Sequence, residues 1–99
     1  MPRDLHPSDG ARYLLERDGS GDAHGASARY RAAIYTPDAE FTTTVLLDDT
    51  GGAELGPSGA PDELHARLLH LCRLVARDAA RLRSDGLPPW PQRILRWRR

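Results

Sequence analysis

Two groups of arginines are the side chains of this sequence that are best suited to a specific role, which is the binding of an anion. Arg73, Arg77 and Arg81 are spaced by four residues, so a helix would stack them on one ridge. Like charges at this spacing cost about 0.2–0.5 kcal/mol per pair unless something neutralises them. A nucleic-acid backbone or an acidic protein surface would do so. A solvated helix face is the simpler interpretation, and both stay open.

The second group lies in the run 93–99, where arginines surround a tryptophan. Guanidinium groups interleaved with an indole suit stacking on bases and binding to phosphates. The competing interpretation is a docked tail whose indole fills a gap and whose arginines meet the acidic half of the chain. The candidate residues for binding an anionic partner are Arg73, Arg77, Arg81, Arg93, Arg96, Trp97 and Arg98.

The remaining polar side chains predict no metal or cofactor site. Residues 18–29 alternate oxygen-bearing side chains as in a calcium loop, but Arg29 occupies the place of the bidentate carboxylate. His65 and His70 are five residues apart, so they point to different sides of a helix. Neither C-x-x-C nor H-E-x-x-H is present. We therefore expect a loop at 19–27, a core role for Cys72, and neither a metal nor a cofactor.

The sequence also predicts that the protein is not an enzyme. It contains no lysine, which excludes Schiff-base and lysine-base chemistry. It has no G-x-S-x-G, Walker or dinucleotide-binding motif. Asp48 and Asp49 fall in a predicted turn, where acids usually serve the backbone. No set of residues is therefore predicted to catalyse a reaction.

Charge is divided unevenly along the chain. Residues 1–65 carry twelve acids against five arginines, whereas residues 66–99 carry nine arginines against two acids. Patches of opposite sign steer protein association and set its register. The division therefore favours an interaction protein. The use of arginine without lysine indicates a GC-rich, bacterial genome.

Alternating apolar residues and turn signals predict an antiparallel sheet. Tyr30 and Ile34 share one face of a strand, and Phe41 and Val45 share one face of the next. Turns are predicted at Pro37 and around the two aspartates that follow the second of these strands. The predicted strands are 11–18, 28–36, 39–48 and a short one near 53–55.

A single helix is predicted after the sheet. Pro61 and two acids start it, and its apolar positions recur every three or four residues. Gly86 would end it in a left-handed conformation, and the prolines that follow forbid its continuation. Its length of about 35 Å exceeds that of a short strand, which leaves apolar surface for a partner or for the tail. The tail is either an extended strand or one helical turn, packed back through Trp90 and Ile94.

The fold class we predict is α+β, as a single domain over 1–99. A three- to four-stranded antiparallel β-meander packs on one long C-terminal α-helix, followed by a short Pro/Trp/Arg tail. The segments are a loose arm at 1–10, the sheet at 11–56, the helix at 61–85 and the basic tail at 87–99. One cysteine cannot form an internal disulfide, and the N-terminal residues have no apolar run, so we expect a cytoplasmic protein. No apolar stretch approaches the ~20 residues that a membrane span needs.

The predicted function is a small non-enzymatic protein–protein interaction or assembly module. We expect it to self-associate as a homodimer through a sheet edge or the long helix. The alternative is a nucleic-acid-binding protein that uses the arginine face of the helix and the C-terminal arginines and tryptophan.

Overall fold

A five-stranded antiparallel sheet with the order β4-β3-β2-β1-β5 forms one layer of the protein, and one helix forms the other. The computed structural model describes residues 6–18 and 25–99. Residues 1–5 of the predicted arm and residues 19–24 of the predicted loop lie outside the described residues. The elements are β1 (Ala11–Arg17), β2 (Ser27–Tyr35), β3 (Glu40–Asp48), β4 (Ala53–Leu55), α1 (Asp62–Ser84) and β5 (Arg93–Arg98).

The predicted α+β architecture is confirmed, but over residues 6–18 and 25–99 the sheet has five strands instead of three or four. The additional strand is β5, which arises from the predicted tail and pairs antiparallel with β1. Its register places Leu95 opposite Leu14 and Trp97 opposite Arg12. Prolines at 88, 89 and 91 prevent the helix from continuing, and the chain that follows satisfies its backbone groups by pairing with the free edge of β1.

The main core lies between the sheet and α1, because the period-two pattern of each strand directs every second side chain toward the helix. Leu15 of β1 lies opposite Ala32 of β2 and opposite Ile94 of β5, all on the helix side. On β3, Val45 and Leu47 complete this face and are almost fully buried. The three consecutive threonines of β3 fit a strand because β-branched side chains favour the pleated conformation.

The helix begins and ends as its sequence predicts. Asp62 and Glu63 lie in its first turn, where carboxylates complement the positive end of the helix dipole. After its last turn Gly86 has a φ of 78°, and the Leu87 N–H donates to the Leu82 carbonyl at 2.9 Å. Among the described residues, no helix has the length and apolarity that crossing a membrane requires. The buried residues of α1 are Leu68, Cys72, Val75, Ala76 and Ala79.

A smaller apolar cluster occupies the other face of the sheet, which the sequence pattern did not predict. Leu14, Ala33 and Tyr35 are buried there without a helix above them. The ring of His6 meets Tyr35 edge-on with centroids 5.2 Å apart. Its Nδ1 lies 2.7 Å from the Thr36 carbonyl. The segment before β1 thus covers part of the sheet face that does not meet the helix.

Trp90 fixes the segment that returns from α1 to β5. Its side chain is fully buried, and its Nε1 donates to the Gly25 carbonyl at 2.7 Å. The Trp90 carbonyl accepts from Arg17 Nη1 at 2.6 Å, and the Tyr30 hydroxyl donates to the Pro91 carbonyl at 2.6 Å. Burial raises the pKa of Tyr30 to about 12, although nearby Arg17 acts in the opposite direction. The expected packing of the tail through its first tryptophan is confirmed.

Candidate anion-binding groove

A groove of about 510 Å³ opens between α1 and β5 on the helix side of the sheet. The backbone of α1 approaches β3 and β4 most closely, so the helix leaves the sheet less covered over β1 and β5. One wall is the flank of α1, the other is the helix side of β5, and a residue of β1 lies between them. The lining residues are Tyr13, Ala66, Arg67, His70, Leu71, Leu74, Arg96, Arg98 and Arg99.

The pleat of β5 directs arginines into this groove. Ile94, Arg96 and Arg98 occupy alternate positions, so they share the face of the strand that looks toward α1. Ile94 lies deep enough to join the core and is only 6% exposed. The two arginines lie further along the strand, beyond the cover of the helix, and are exposed. The same alternation that buries an isoleucine therefore presents two guanidinium groups to the groove.

The charge that lines the groove is positive on both walls. On the helix wall, Arg67 bonds to Glu63 at 2.8 Å. On the strand wall, Arg96 donates from Nη1 to the Leu95 carbonyl at 2.9 Å. The side chain of Arg98 is exposed. The described lining residues include no carboxylate. Because Glu63 already pairs with Arg67, an anion in the groove would bind mainly to Arg96 and Arg98 on the strand wall.

At one end of the groove, the side chain of Arg99 is already engaged. Its Nε lies 3.1 Å from a carboxylate oxygen of Asp9. Its guanidinium carbon lies 5.6 Å from the centre of the Trp97 ring, within the range of a cation–π contact. Arg99 therefore contributes less to an incoming anion than the arginines at 96 and 98.

The floor of the groove is apolar apart from one hydroxyl group. Leu71 is partly buried, and Leu74 is 38% exposed. Tyr13 is only 2% exposed, and its hydroxyl has no hydrogen-bond partner among the described residues. An unsatisfied buried hydroxyl costs about 1–3 kcal/mol, and because this one is enclosed a ligand in the groove does not reach it. The groove thus suits a ligand that combines an anionic group with apolar surface.

The predicted anion-binding residues do not form one site. Arg96 and Arg98 line the groove, whereas Arg93 and Trp97 lie on the opposite face of the sheet. Trp97 is 45% exposed there, and its Nε1 donates to the Asp9 carbonyl at 3.1 Å. The tail is therefore a strand with two different faces, and its indole lies on the other side from its groove arginines.

The arginine ridge of α1 is separate from the groove as well. Arg73, Arg77 and Arg81 are exposed on the helix, and none of them lines the groove. Arg81 lies 3.5 Å from Asp78, an exposed pair of the kind that contributes about 0–1 kcal/mol. The ridge and the groove are thus two distinct positive surfaces.

Seven groove residues were not among the predicted binding residues, and four of them have polar side chains: Tyr13, Arg67, His70 and Arg99. The helical period places Arg67 and His70 on the same arc as the arginine ridge, and this was a usable signal. For Tyr13 the pattern predicted only a strand position. Nothing local indicates that the helix leaves this tyrosine at the floor of a groove, because that depends on where α1 crosses the sheet.

The aspartates at the end of β3 stabilise a turn. Asp48 accepts hydrogen bonds from the Thr50 hydroxyl, from the Gly52 N–H at 2.9 Å and from the Thr50 N–H at 3.0 Å. These bonds, led by the hydroxyl of Thr50, hold the pKa of Asp48 below its ordinary value. Asp49 lies 3.2 Å from Arg83 at the end of α1. Both aspartates therefore have partners that explain them as structural residues.

Other polar clusters offer less than the groove. A smaller groove of about 280 Å³ near the end of β1 mixes Glu16 and Asp18 with arginines, so it has no single sign of charge. Within the described residues, no group of three or more His, Cys, Asp or Glu side chains could hold a metal ion.

Searches against protein-family models, curated proteins and solved structures found no match. The function proposed for this chain therefore depends on the geometry of the groove.

Proposed function

We propose that this chain is a non-enzymatic protein–protein interaction module that binds an acidic segment of a partner protein in the groove between α1 and β5. The observation that carries the proposal is the lining of the groove. Arginines stand on both walls, no carboxylate is among the described lining residues, and leucines form the floor. Guanidinium groups bind carboxylates through charge-assisted hydrogen bonds, and the leucines add apolar contact.

An acidic protein segment fits this lining better than a nucleic acid does. Single-stranded nucleic acids are held by aromatic rings and phosphate-binding groups that act on the same strand. Trp97 lies on the opposite face of β5 from Arg96 and Arg98, so one strand cannot use all three from the same side. A segment with glutamates can instead place its carboxylates against the arginines of the walls, while the methylene groups of the same side chains contact the leucines of the floor.

Nucleic-acid binding remains the alternative function, and the exposed ridge of Arg73, Arg77 and Arg81 is what favours it. Such binding should weaken by roughly 0.9 log units per log unit of salt for each duplex phosphate neutralised. Labelled DNA that binds with this salt dependence, and that binds less tightly when the ridge is changed, would establish the alternative.

Fluorescence anisotropy with a labelled peptide tests the proposed function. The probe is a peptide of alternating glutamate and leucine, about eight residues long, which is slightly longer than a typical edge strand. The double variant Arg96→Gln/Arg98→Gln should weaken binding at least about tenfold. A tenfold loss corresponds to about 1.4 kcal/mol, below the value of about 1.5–3 kcal/mol for one hydrogen bond to a charged group.

The matched control is the double variant Arg73→Gln/Arg81→Gln, which removes the same charge from the ridge. The unmodified chain has a formal net charge of zero, so either double variant carries a net charge of −2, since two positive charges are lost. The control should change the peptide affinity less than about threefold, because these residues lie outside the groove. Equal losses in the two variants would show that the peptide senses only net charge, and would refute the proposal.

Two further expectations stay predictions alongside this function. Self-association as a homodimer is tested by sedimentation velocity over a range of concentrations, and a strict monomer throughout would reject it. A cytoplasmic location is tested by fractionation of the source cells.

A further inference from the structure

We infer that the acidic partner segment binds as an additional strand on the open edge of β5. This inference rests on the function proposed above and specifies how the segment lies. β5 is the outer strand of the sheet, on the side where the groove opens. A strand added to this edge would run along the groove and lie beside its arginines.

The hydrogen-bond pattern identifies which backbone groups of β5 point outward. The Arg17 N–H donates to the Gln92 carbonyl at 2.8 Å. In an antiparallel pair, hydrogen-bonded pairs alternate with pairs that are not bonded. In the observed register, the even-numbered residues of β5 therefore bond to β1. The backbone groups of Arg93, Leu95 and Trp97 point away from the sheet.

Two other bonds agree with this assignment. On the opposite side of β1, the Asp18 N–H donates to the Arg29 carbonyl of β2 at 2.8 Å. The backbone groups of successive residues of β1 therefore bond alternately to β2 and to β5. The Leu95 carbonyl accepts a side-chain bond from Arg96, which requires that this carbonyl point outward. The edge thus offers backbone donors and acceptors at a period of two residues, as strand addition requires.

The two faces of β5 would select the side chains of the added strand. Residues opposite each other on neighbouring strands have Cβ atoms about 4.5–5.5 Å apart. On the groove side, the added residues would lie beside Arg96 and Arg98, which favours glutamate. On the other side they would lie beside Leu95 and Trp97, which are 39% and 45% exposed, and apolar residues would cover them. The preferred segment therefore alternates acidic and apolar residues.

The same arginines make a second copy of β5 a poor occupant of this edge. Pairing two β5 strands would bring arginines from both copies together, and like charges directly opposite each other are destabilising. Charged side chains on edge strands commonly prevent self-pairing. An acidic strand meets no such repulsion, so charge complementarity selects it.

A proline substitution tests the edge directly. Leu95→Pro removes an outward N–H that β1 does not use, and proline is tolerated on an edge strand with its nitrogen toward solvent. It should weaken binding of the alternating glutamate–leucine peptide at least about tenfold. The matched variant Leu95→Ala keeps the N–H and loses only a side-chain contact, so it should weaken binding clearly less than Leu95→Pro does. Circular dichroism and the melting temperature check that both variants fold.

N-methylated peptides give a second test that leaves the protein unchanged. Methylation at one set of alternate residues should weaken binding at least about tenfold, because those N–H groups face β5. Methylation at the other set should change it less than about threefold. A peptide with the same composition in a helical spacing should bind less tightly than the alternating one. Equal effects of the two methylated sets would overturn strand addition even if Leu95→Pro did not fold.

These results separate the binding mode from the proposed function. If Arg96→Gln/Arg98→Gln weakens binding but neither Leu95→Pro nor N-methylation does, the groove binds the peptide without strand addition. If the double arginine variant has no effect, the proposed function and the inference both fail. A dimer of the unmodified protein that Leu95→Pro dissociates would show that a second copy occupies the edge, and would also overturn the inference.

Discussion

Replacing Trp90 with alanine should destabilise the protein more than any other single truncation in the return segment. Truncating a buried tryptophan to alanine costs about 3–5 kcal/mol, and Trp90 is fully buried. The Gly25 carbonyl that loses the indole bond keeps a second bond, from Arg83 at 2.8 Å. The Gly25 carbonyl therefore keeps a partner in the variant, and we expect a loss of about 4 kcal/mol in the free energy of unfolding.

This loss in the free energy of unfolding corresponds to a lower melting temperature. For a domain of this size, 1 kcal/mol corresponds to about 4–8 °C, so Trp90→Ala should lower the melting temperature by about 16–32 °C. Differential scanning calorimetry and urea unfolding followed by circular dichroism measure both quantities. Because a domain is stable by only about 5–15 kcal/mol, the variant should also begin to unfold at a much lower urea concentration.

Trp97→Ala is the matched control, because it removes the same atoms from a side chain that is 45% exposed. Its bond to the Asp9 carbonyl is at the surface, so we expect a loss of about 1 kcal/mol or less. Similar melting temperatures for the two variants would refute the reasoning. They would mean that burial of Trp90 does not hold the segment before β5 in place.

Three other predictions concern single positions. Gly10 and Gly59 both have positive φ values, of 71° and 75°, so alanine should strain the backbone similarly at either position. Gly10→Ala should nevertheless lower the free energy of unfolding more in urea, because only there would a Cβ collide with the backbone of β5. Equal losses in the two variants would contradict the collision. Cys72 should react with Ellman's reagent only after unfolding, since it is fully buried and burial raises its pKa to about 12; rapid labelling of the folded protein would contradict this. Asp48 has a lowered pKa in the folded state, so its ionised form stabilises the protein above the ordinary value of 3.8, and this contribution is lost as the pH falls through the lower folded pKa. The difference in unfolding free energy between the unmodified protein and Asp48→Asn should therefore shrink in acid, and a difference that stayed constant with pH would contradict the assignment.

Local patterns in the sequence predicted most of the fold. The strand expected at 28–36 is observed at 27–35, and the helix expected at 61–85 is observed at 62–84. Gly86 ends the helix with a positive φ, as expected. These features depend on neighbours within a few residues, through side-chain alternation, helical periodicity and the restricted backbone of proline. They can therefore be derived without knowledge of the tertiary structure.

Local patterns did not predict the groove, because its parts come from distant segments of the chain. The pairing of β5 with β1 brings Arg96 beside Tyr13, and this contact has no counterpart in any local signal. The sequence indicated that the C-terminal arginines could bind an anion, but it could not assign them to faces. The pairing of β5 with β1 places Arg96 and Arg98 on one side of the sheet and Trp97 on the other. The position of α1 over β3 and β4 then left room for a groove lined by those arginines.

The sequence by itself thus determined the first four strands, the helix with both of its ends, and the positive character of the C-terminal third, since each depends on residue type and short-range spacing. The tertiary structure alone decided which arginines act together, because long-range strand pairing and the crossing of the helix set their positions.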